Sequence, residues 1–511
     1  MKNSIISKLL ISILIVGTFS CEGFLDVLPS DSATASTSIV NPNDAQVAIN
    51  GAYRRMTSSS FYGRDIVLYG ELRGADFGIT TLAVAGDALY YFTSTPSSGS
   101  YSGFWTQGYD IILQTNNILE AIESGNMNII TTSDQAKVNS IAGQALTIRA
   151  LTHFDLTRLY GYPYMKDNGV GLGVPIVTKR LEPMDKMARN TVAECYEQVI
   201  KDLDAAIVLL SSTTAKVTGE VNLYAAKALL ARVYLHKGDW DKAYEMAKSV
   251  IDSGVYTAYT AANWVASWSK QGDTESIFEL MIVPNESNMG TTSIGGYYAP
   301  RNTSRRDLGP MMVSDMFLDV FKLPAHANDV RWGVYGLDEF SNGETKDTNG
   351  NPLIIIPGRL GWLKKYESDG KSPAMSVNVK LIRLTEVMLI AAEAAIKKSS
   401  QDKTNAVVWI NKIRERNPDM VATPLAATDA DNVLLDEIVL QRRIDLIGEG
   451  HRYFDVLRVG GTVTYKDGAP WNDPLNGGRG STVDWNYHKC ILPIAINEMN
   501  VNPNMVQNPG Y

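Results

Sequence analysis

Cys21 is the residue of this chain whose position most clearly predicts a chemical modification. It follows a basic start, an apolar run over residues 9–16 and a short stretch ending in Ser20, which is the layout of a cleavable secretory signal. The apolar run is about half as long as the ~20 residues that cross a bilayer as a helix. We therefore predict a signal peptide over residues 1–20 and acylation of Cys21, which would tether the mature chain to a membrane. The alternative is an ordinary signal followed by a free cysteine.

The two other cysteines, Cys195 and Cys490, are about 300 residues apart. They do not form the closely spaced framework of a small disulfide-stabilised domain. An oxidising compartment leaves a disulfide open as an alternative. We predict that both are buried free thiols.

Motifs for catalysis and cofactor binding are missing from the sequence. It contains no His-Glu-x-x-His zinc motif and no Gly-x-x-x-x-Gly-Lys-Ser/Thr phosphate loop. Asp347, Asn349 and Asn351 match the start of a calcium loop, but Pro352 takes the place of the required glycine and Gly358 that of the bidentate glutamate. We predict a hairpin loop there, and neither a metal nor a cofactor. Paired carboxylates need to meet only in three dimensions, so a surface glycoside hydrolase stays an alternative.

The charge of the chain bears on its partners. Its formal net charge is −8 at pH 7, and the predicted signal contributes lysines but no acidic residue, so the mature chain is more acidic still. A net acidic protein without a basic block is a poor match to a phosphate backbone or to anionic lipid. We therefore exclude nucleic acid as a partner and expect the anchor to provide the membrane contact.

The elements that must position any binding residues are mostly helical. Helical periodicity runs over residues 44–60, 104–124, 134–160, 191–210, 221–254, 381–397 and 403–416. Within 221–254, alanines on both sides of a Gly238-Asp239-Trp240 turn let two helices pack closely, which is typical of a tetratricopeptide (TPR) hairpin. A second such pair at 381–416 and two earlier pairs predict a mostly α fold, a TPR-type repeat scaffold of about four helix pairs.

Two segments interrupt the helical pattern. Residues 57–103 are rich in Ser, Gly and Tyr, and residues 255–380 combine Gly, Pro and Asn with short β runs such as 277–283. Loops on a rigid scaffold often carry binding residues. We predict that this loop-rich, partly β part of the chain binds the ligand.

A set of sequence blocks covers nearly the whole mature chain in a fixed order. They are residues 21–29, 149–161, 171–175, 226–251, 383–394, 413–416, 442–455, 491–494 and 502–511, and they include Arg149-Ala150-Leu151-Thr152-His153-Phe154-Asp155 and Glu449-Gly450-His451-Arg452-Tyr453-Phe454-Asp455. Together they resemble the SusD-like (RagB/SusD) family, the surface lipoproteins of nutrient uptake in Bacteroidetes.

The resemblance implies a function. Members of this family bind an oligosaccharide, or less often a peptide, and deliver it to a SusC-like TonB-dependent transporter in the outer membrane. It also implies a lipid-anchored protein that faces the cell exterior, is not an enzyme and needs no cofactor. A pure scaffold that uses its repeats to hold partners is a further alternative.

The same resemblance divides the chain. It implies a signal peptide at 1–20, a lipid-anchored tether at 21–45 and a helical SusD-like region at 46–254. The loop-rich ligand-binding region at 255–380 and a C-terminal SusD/RagB region at 381–511 follow. Within the tether, Asp31-Ser32-Ala33 resembles an O-glycosylation acceptor of Bacteroidetes.

Ligand-contacting residues do not follow from the resemblance, because the loops are the least family-like part of the chain. A sugar packs its C–H face on an aromatic plane and needs donors and acceptors for its hydroxyls. On this ground we nominate Asp76, Tyr90, Tyr91, Tyr297, Tyr298 and Arg301. The alternative for each aromatic is a loop side chain that folds back onto the core.

Other conspicuous residues are interpreted as structural. Trp264 and Trp362 are predicted to pack in the core, and Trp332 is left undecided. A buried ion network is predicted to tie the last helix to the scaffold, because unpaired buried charges would be costly. Its members are Arg442, Arg443, Glu449 and Arg452.

Overall fold

The computed structural model describes ten ranges of the chain. They are residues 38–79, 86–99, 101–182, 184–282, 292–298, 310–321, 326–337, 360–366, 378–465 and 482–511. Cys21, Ser32, Arg301 and the calcium-like segment 347–358 lie outside the described residues.

Eighteen helices lie within these ranges. They are α1 Pro42–Met56, α2 Asp65–Leu72, α3 Asp87–Tyr90, α4 Ser102–Glu123, α5 Thr132–Tyr160, α6 Tyr164–Asp167, α7 Val192–Leu209, α8 Leu223–Lys237, α9 Trp240–Ile251, α10 Trp264–Ser267, α11 Ile294–Tyr298, α12 Asp315–Phe321, α13 Leu384–Lys397, α14 Lys403–Arg414, α15 Pro418–Val421, α16 Asp431–Asp445, α17 Arg452–Arg458 and α18 Ile496–Val501. None of the helices in the described ranges is both long enough and apolar enough to cross a bilayer.

Local sequence signals set the ends of the long helices. Thr131 begins α5 with a capping box, in which its hydroxyl accepts from the Asp134 amide and the Asp134 carboxylate accepts from the Thr131 amide. Thr191 and Glu194 begin α7 in the same way. Gly238 ends α8 with a φ of +80°, a left-handed conformation that glycine adopts without steric cost. These signals fix the predicted boundaries to within a few residues.

The long helices form one layered array that follows the chain. α1 packs on α4, α4 on α5, α5 on α7, α7 on α8, α8 on α9, α9 on α13, α13 on α14, and α14 on α16. The array equals four helix pairs and one further helix. The close contact of α8 with α9 rests on fully buried alanines, among them Ala226, Ala231, Ala243 and Ala247. The predicted mostly α, TPR-like scaffold is therefore confirmed.

The strands form four short antiparallel pairs within the described residues. They are β1 Phe77–Ile79 with β3 Met311–Val313, β2 Ser276–Leu280 with β6 Val379–Arg383, β4 Tyr335–Leu337 with β5 Leu360–Leu363, and β7 Val463–Thr464 with β8 Thr482–Val483. The β run predicted at 277–283 corresponds to β2. The pairing of β1 with β3 joins the two loop segments that were predicted to bind a ligand.

A buried ion cluster ties the second half of the chain together. The Asp445 carboxylate, at the end of α16, pairs with Arg331, Arg383 and Arg416, and the last two also pair with Glu275. Burial alone would raise the pKa of Asp445, but the three arginines hold it well below its usual value. Charges buried this deeply are retained only when each has partners.

The ion network predicted from the sequence is also present. Arg442 pairs with Asp455 at 2.8 Å and Arg443 with Asp76 at 2.5 Å. Glu449 accepts from Arg383 Nε at 2.7 Å and from Lys365 Nζ at 2.8 Å. These pairs connect α16 and the start of α17 to β1, β6 and the segment after β5, as predicted.

The remaining structural predictions concern cysteine and tryptophan. Cys195 and Cys490 are both free and buried, in agreement with the prediction of two thiols. Trp264 and Trp362 are fully buried, which agrees with a packing role. Trp332, which was undecided, is part-buried and donates its indole N–H to the His326 carbonyl at 2.9 Å.

Candidate functional site

The two segments from which ligand residues were nominated meet in the folded chain. Phe77 pairs with Val313 across β1 and β3, and the Ser314 amide donates to the Asp76 carbonyl at 2.8 Å. The Phe77 ring lies on the Tyr298 ring with centroids 4.9 Å apart. Side chains that are more than 200 residues apart in sequence thus line one region around α2, β1 and α11.

The Asp76 side chain forms structural ion pairs in this region. Its side chain is almost fully buried, and both its carboxylate oxygens accept from Arg443 Nε, at 2.9 and 3.0 Å. Arg452 Nε lies 3.4 Å from one of these oxygens, Oδ2. The carboxylate therefore joins β1 to α16 and α17, and its lone pairs are largely occupied.

The nominated tyrosines are buried as well. Tyr90 and Tyr91, at the end of α3, meet edge to face at 5.0 Å, and Tyr90 contacts the Tyr465 ring at 6.4 Å. Tyr298 is fully buried between Phe77 and Tyr366. These three match the alternative that loop aromatics fold back onto the core. Their nomination as ligand contacts stays a prediction.

Tyr297 differs from the other nominees because a charged group covers it. The Arg64 guanidinium lies 4.8 Å from its ring centroid, at a distance typical of a cation–π contact. Arg64 also donates to Asp65 at 2.6 Å and to the Thr292 carbonyl at 2.9 Å. We call Arg64, Asp65, Tyr101 and Tyr297 the Arg64 site.

The electrostatics of the Arg64 site favour hydrogen bonding to a neutral polar ligand. Burial raises the pKa of Asp65, although its hydrogen bond to Arg64 opposes the rise. Burial, together with the charges of Asp65 and Asp87, raises the pKa of Tyr101 well above its usual value, so the phenol stays protonated and can donate. A guanidinium, a carboxyl group, a phenol and an aromatic ring thus converge in one place.

The described part of segment 57–103 contains three strained backbone positions, one of which, Tyr101, belongs to the Arg64 site. Ala75, Phe92 and Tyr101 have φ values of +63°, +55° and +50°, in the left-handed region that side chains rarely adopt. Asn168 is the one other described non-glycine residue with positive φ. Such conformations persist where the surroundings enforce them, and they cluster at functional sites. Sequence analysis missed Arg64, Asp65 and Tyr101, because none of them belongs to an adjacent aromatic pair.

A concave surface lies in another part of the described chain. It is a cleft of roughly 510 Å³ between α4, residues 175–187 and α18. Trp105 and Tyr109 line it, and the Tyr109 hydroxyl donates to the Pro175 carbonyl at 2.8 Å. The cleft has aromatic surface, but it lies outside the two segments that were predicted to bind a ligand.

Comparison with known proteins assigns the chain to a family. The family described as "SusD family" matches residues 326–511, and the family described as "Starch-binding associating with outer membrane" matches residues 24–235. A SusD superfamily protein of Bacteroides thetaiotaomicron has a solved structure that is 33% identical, with a TM-score of 0.81, and the match covers 92% of this chain and 100% of that one. The chain therefore belongs to the SusD family.

Individual relatives carry more specific names. A putative sugar binding protein of Bacteroides vulgatus has a solved structure that is 33% identical, with a TM-score of 0.78, over 93% of this chain and 100% of that one. SusD-like protein P2 of Formosa agariphila is 28% identical over 498 residues, which is 92% of each chain. The starch-binding protein SusD of Bacteroides thetaiotaomicron is 31% identical over 152 residues, 29% of this chain and 25% of that protein.

Proposed function

We propose that this protein binds an oligosaccharide at the cell surface and delivers it to a SusC-like TonB-dependent transporter in the outer membrane. It acts as a binding protein and not as an enzyme. The observation that carries the proposal is the Arg64 site, where an Arg–carboxylate pair, a protonated phenol and an aromatic ring meet at the junction of the two loop segments.

The chemistry of the Arg64 site suits a sugar. Sugar hydroxyls each need a donor or an acceptor, which Arg64, Asp65 and Tyr101 provide. The C–H face of a pyranose packs against aromatic surface, which Tyr297 and Tyr101 contribute. The names of the relatives, a putative sugar binding protein and a starch-binding protein, support the same ligand class.

The location of the protein is part of the proposal. Cys21 carries the lipid anchor, and the tether between Cys21 and the start of α1 at Pro42, a few residues shorter than the predicted 21–45, holds the helical body over the transporter on the exterior face of the outer membrane. The match to a family described as associating with the outer membrane supports this location. We assign the contact with the transporter to the helical repeats and the contact with the ligand to the region around the Arg64 site.

Affinity electrophoresis against a panel of plant and host glycans tests the ligand class. We expect at least one neutral glycan to retard the wild-type protein. Asp65→Asn and Tyr101→Phe each remove one group that faces the ligand, so each should weaken retardation by about tenfold. Asp431→Asn is the matched control. Asp431, the first residue of α16, has an exposed carboxylate that pairs with Lys403 at 2.9 Å, and the variant should be retarded like wild type.

Three outcomes would contradict the proposal. Equal retardation of the wild type and both site variants would move the ligand away from the Arg64 site. Retardation by none of the glycans, combined with binding of peptides in a parallel panel, would replace the sugar by a peptide. Release of reducing ends from any glycan would favour the glycoside hydrolase alternative.

A further inference from the structure

A cavity of roughly 260 Å³ lies between α13, α16 and α17. None of the four residues of the Arg64 site lines it. Its wall combines apolar side chains such as Leu435 with charged side chains of α16 and α17, together with Glu71 of α2 and Asp76 beside β1. The exposed Val439 and Val459 also line the cavity, so it opens towards solvent between α16 and α17.

Cations outnumber the carboxylates that could neutralise them. The lining includes Lys397, Arg442, Arg443, Arg452 and Arg458. The carboxylates are shared: Asp76 serves Arg443 and Arg452, Asp455 serves Arg442 and Arg458, and Glu393 serves Arg458 and Lys397. Three carboxylates are therefore shared among five cations.

Glu71 is the fourth carboxyl group of the lining and adds little negative charge. Burial and the neighbouring Asp76 raise its pKa to about 8, so it is mostly protonated at neutral pH. One of its oxygens accepts from the Gly450 amide at 2.7 Å. The cavity thus keeps a net positive charge in the absence of a ligand.

Unpartnered polar atoms of the lining residues point to a missing partner. Arg442 is about 5% exposed, and its Nη1 has no hydrogen-bond partner among the described residues. The same holds for Arg452 Nε, whose approach to Asp76 at 3.4 Å lacks hydrogen-bond geometry, and for Glu71 Oε2. Buried donors on a guanidinium are rarely left unsatisfied, because each costs about 1–3 kcal/mol.

We propose that this cavity, the Arg442 cavity, binds a small oxyanion between the Arg442 and Arg452 guanidiniums. Guanidinium donors match the oxygens of a carboxylate, sulfate or phosphate group, and the anion would neutralise the excess positive charge. The protonated Glu71 carboxyl adds one further donor. Two sources share this chemistry, namely a free inorganic anion and the acidic group of a sugar such as a uronate.

Equilibrium dialysis of the purified protein against radiolabelled phosphate tests the proposal. We expect one saturable site per chain. Arg452→Gln removes one guanidinium and keeps most of the aliphatic stem, and it should weaken binding by roughly tenfold or more. Arg452→Lys restores the charge without the planar fork and should recover part of the affinity. Competition by glucuronate, compared with glucose, identifies an acidic sugar as the source, and its failure identifies a free anion.

Arg180→Gln is the control, because Arg180 is an exposed arginine that pairs with Glu182 at 3.1 Å away from the cavity. It should bind phosphate like wild type. Thermal unfolding without phosphate checks that each variant is folded. The absence of a saturable site in the wild type, or equal binding by folded Arg452→Gln, would overturn the proposal.

Discussion

Arg64 and Asp76 differ in the chemical groups that surround them, and this difference is the reason for proposing a binding role for Arg64 alone. Both are charged and lie close to the junction of the two loop segments. Both oxygens of the Asp76 carboxylate accept from Arg443, whereas the Arg64 guanidinium, which donates to Asp65 and to the Thr292 carbonyl, also lies over the Tyr297 ring. The second arrangement is the one that offers several different groups to one ligand.

The protonation of Glu71 gives a prediction at the residue scale. Its folded-state pKa of about 8 is raised from 4.5, so the folded protein holds a proton that the unfolded chain loses above pH 4.5. Stability contributed by this group therefore falls as the pH rises from about 4.5 to about 8. Glu71→Gln keeps a neutral side chain at every pH. The free energy of unfolding of this variant, relative to that of wild type, should therefore increase by on the order of 4 kcal/mol between pH 5 and pH 8.5.

Urea unfolding at these two pH values, in phosphate-free buffer, measures the difference. Asp431→Asn, which alters an exposed carboxylate, should show no comparable pH-dependent gain. A constant difference between Glu71→Gln and wild type at both pH values would show that Glu71 is ionised throughout.

At the residue scale, sequence reasoning identified the types of side chain but not their accessibility. The adjacent tyrosines were nominated because they lie in Gly- and Ser-rich segments. Their burial depends on partners such as Tyr465 for Tyr90 and Tyr366 for Tyr298, which are far away in sequence. The Asp76–Arg443 pair spans 367 residues. A local sequence pattern cannot predict contacts between residues so far apart in the chain.

At the scale of elements, two glycines set how closely α2 approaches the segment before α17. A Cβ added at Gly70 would overlap the carbonyl group of Gly450, which is backbone and cannot turn aside. Gly450 itself has a φ of +86°, and its amide donates to Glu71. This contact positions α2, whose N-terminal end carries Arg64 and Asp65.

Gly70→Ala should therefore destabilise the protein by about 2 kcal/mol or more, because overpacking forces a backbone shift. Gly51→Ala is the matched control. Gly51 lies in α1, and no atom lies within 4 Å of the methyl group that alanine would add. This substitution should therefore stabilise the protein by about 0.5–1 kcal/mol. Thermal unfolding measures both changes. Equal effects of the two substitutions would show that α2 can move away from Gly450 at no cost.

The helices could be predicted from the sequence because their signals are local. Periodicity and the Gly238 turn gave most of the long helices nearly as they occur, whereas α16 was not among the stretches with predicted helical periodicity. α2 and β1 were not predicted within the loop-rich segment 57–103. α2 is buried along its whole length and lacks the alternation of apolar and polar residues that marks a surface helix, and β1 is only three residues long and depends on β3.

At the scale of the whole molecule, we propose separate tasks for the helical array and for the loop junction. The array from α1 to α16 is a continuous scaffold, and the Arg64 site lies beside it, at the start of α2 and α4. A rigid body that presents a ligand site apart from its repeats suits a protein that must touch a transporter and a ligand at the same time.

The proposed anchor gives a prediction at this scale. Cys21→Ala removes the sulfur that would be acylated, so the protein should shift from the outer-membrane fraction to a soluble fraction when the transporter is absent. Cell fractionation with immunoblotting measures the shift, and Cys195→Ala, which replaces a buried thiol, should fractionate like wild type. Retention of Cys21→Ala in the outer membrane of the transporter-deficient strain would contradict a lipid anchor.

The central claim is that the Arg64 site holds an oligosaccharide. A crystal structure of the protein with a glycan that retards it in electrophoresis tests this claim most directly. We predict sugar oxygens within hydrogen-bond distance of Arg64, Asp65 and Tyr101, with a pyranose face against Tyr297 or Tyr101. A glycan bound instead in the cleft beside Trp105 and Tyr109, with no contact to the Arg64 site, would contradict the account.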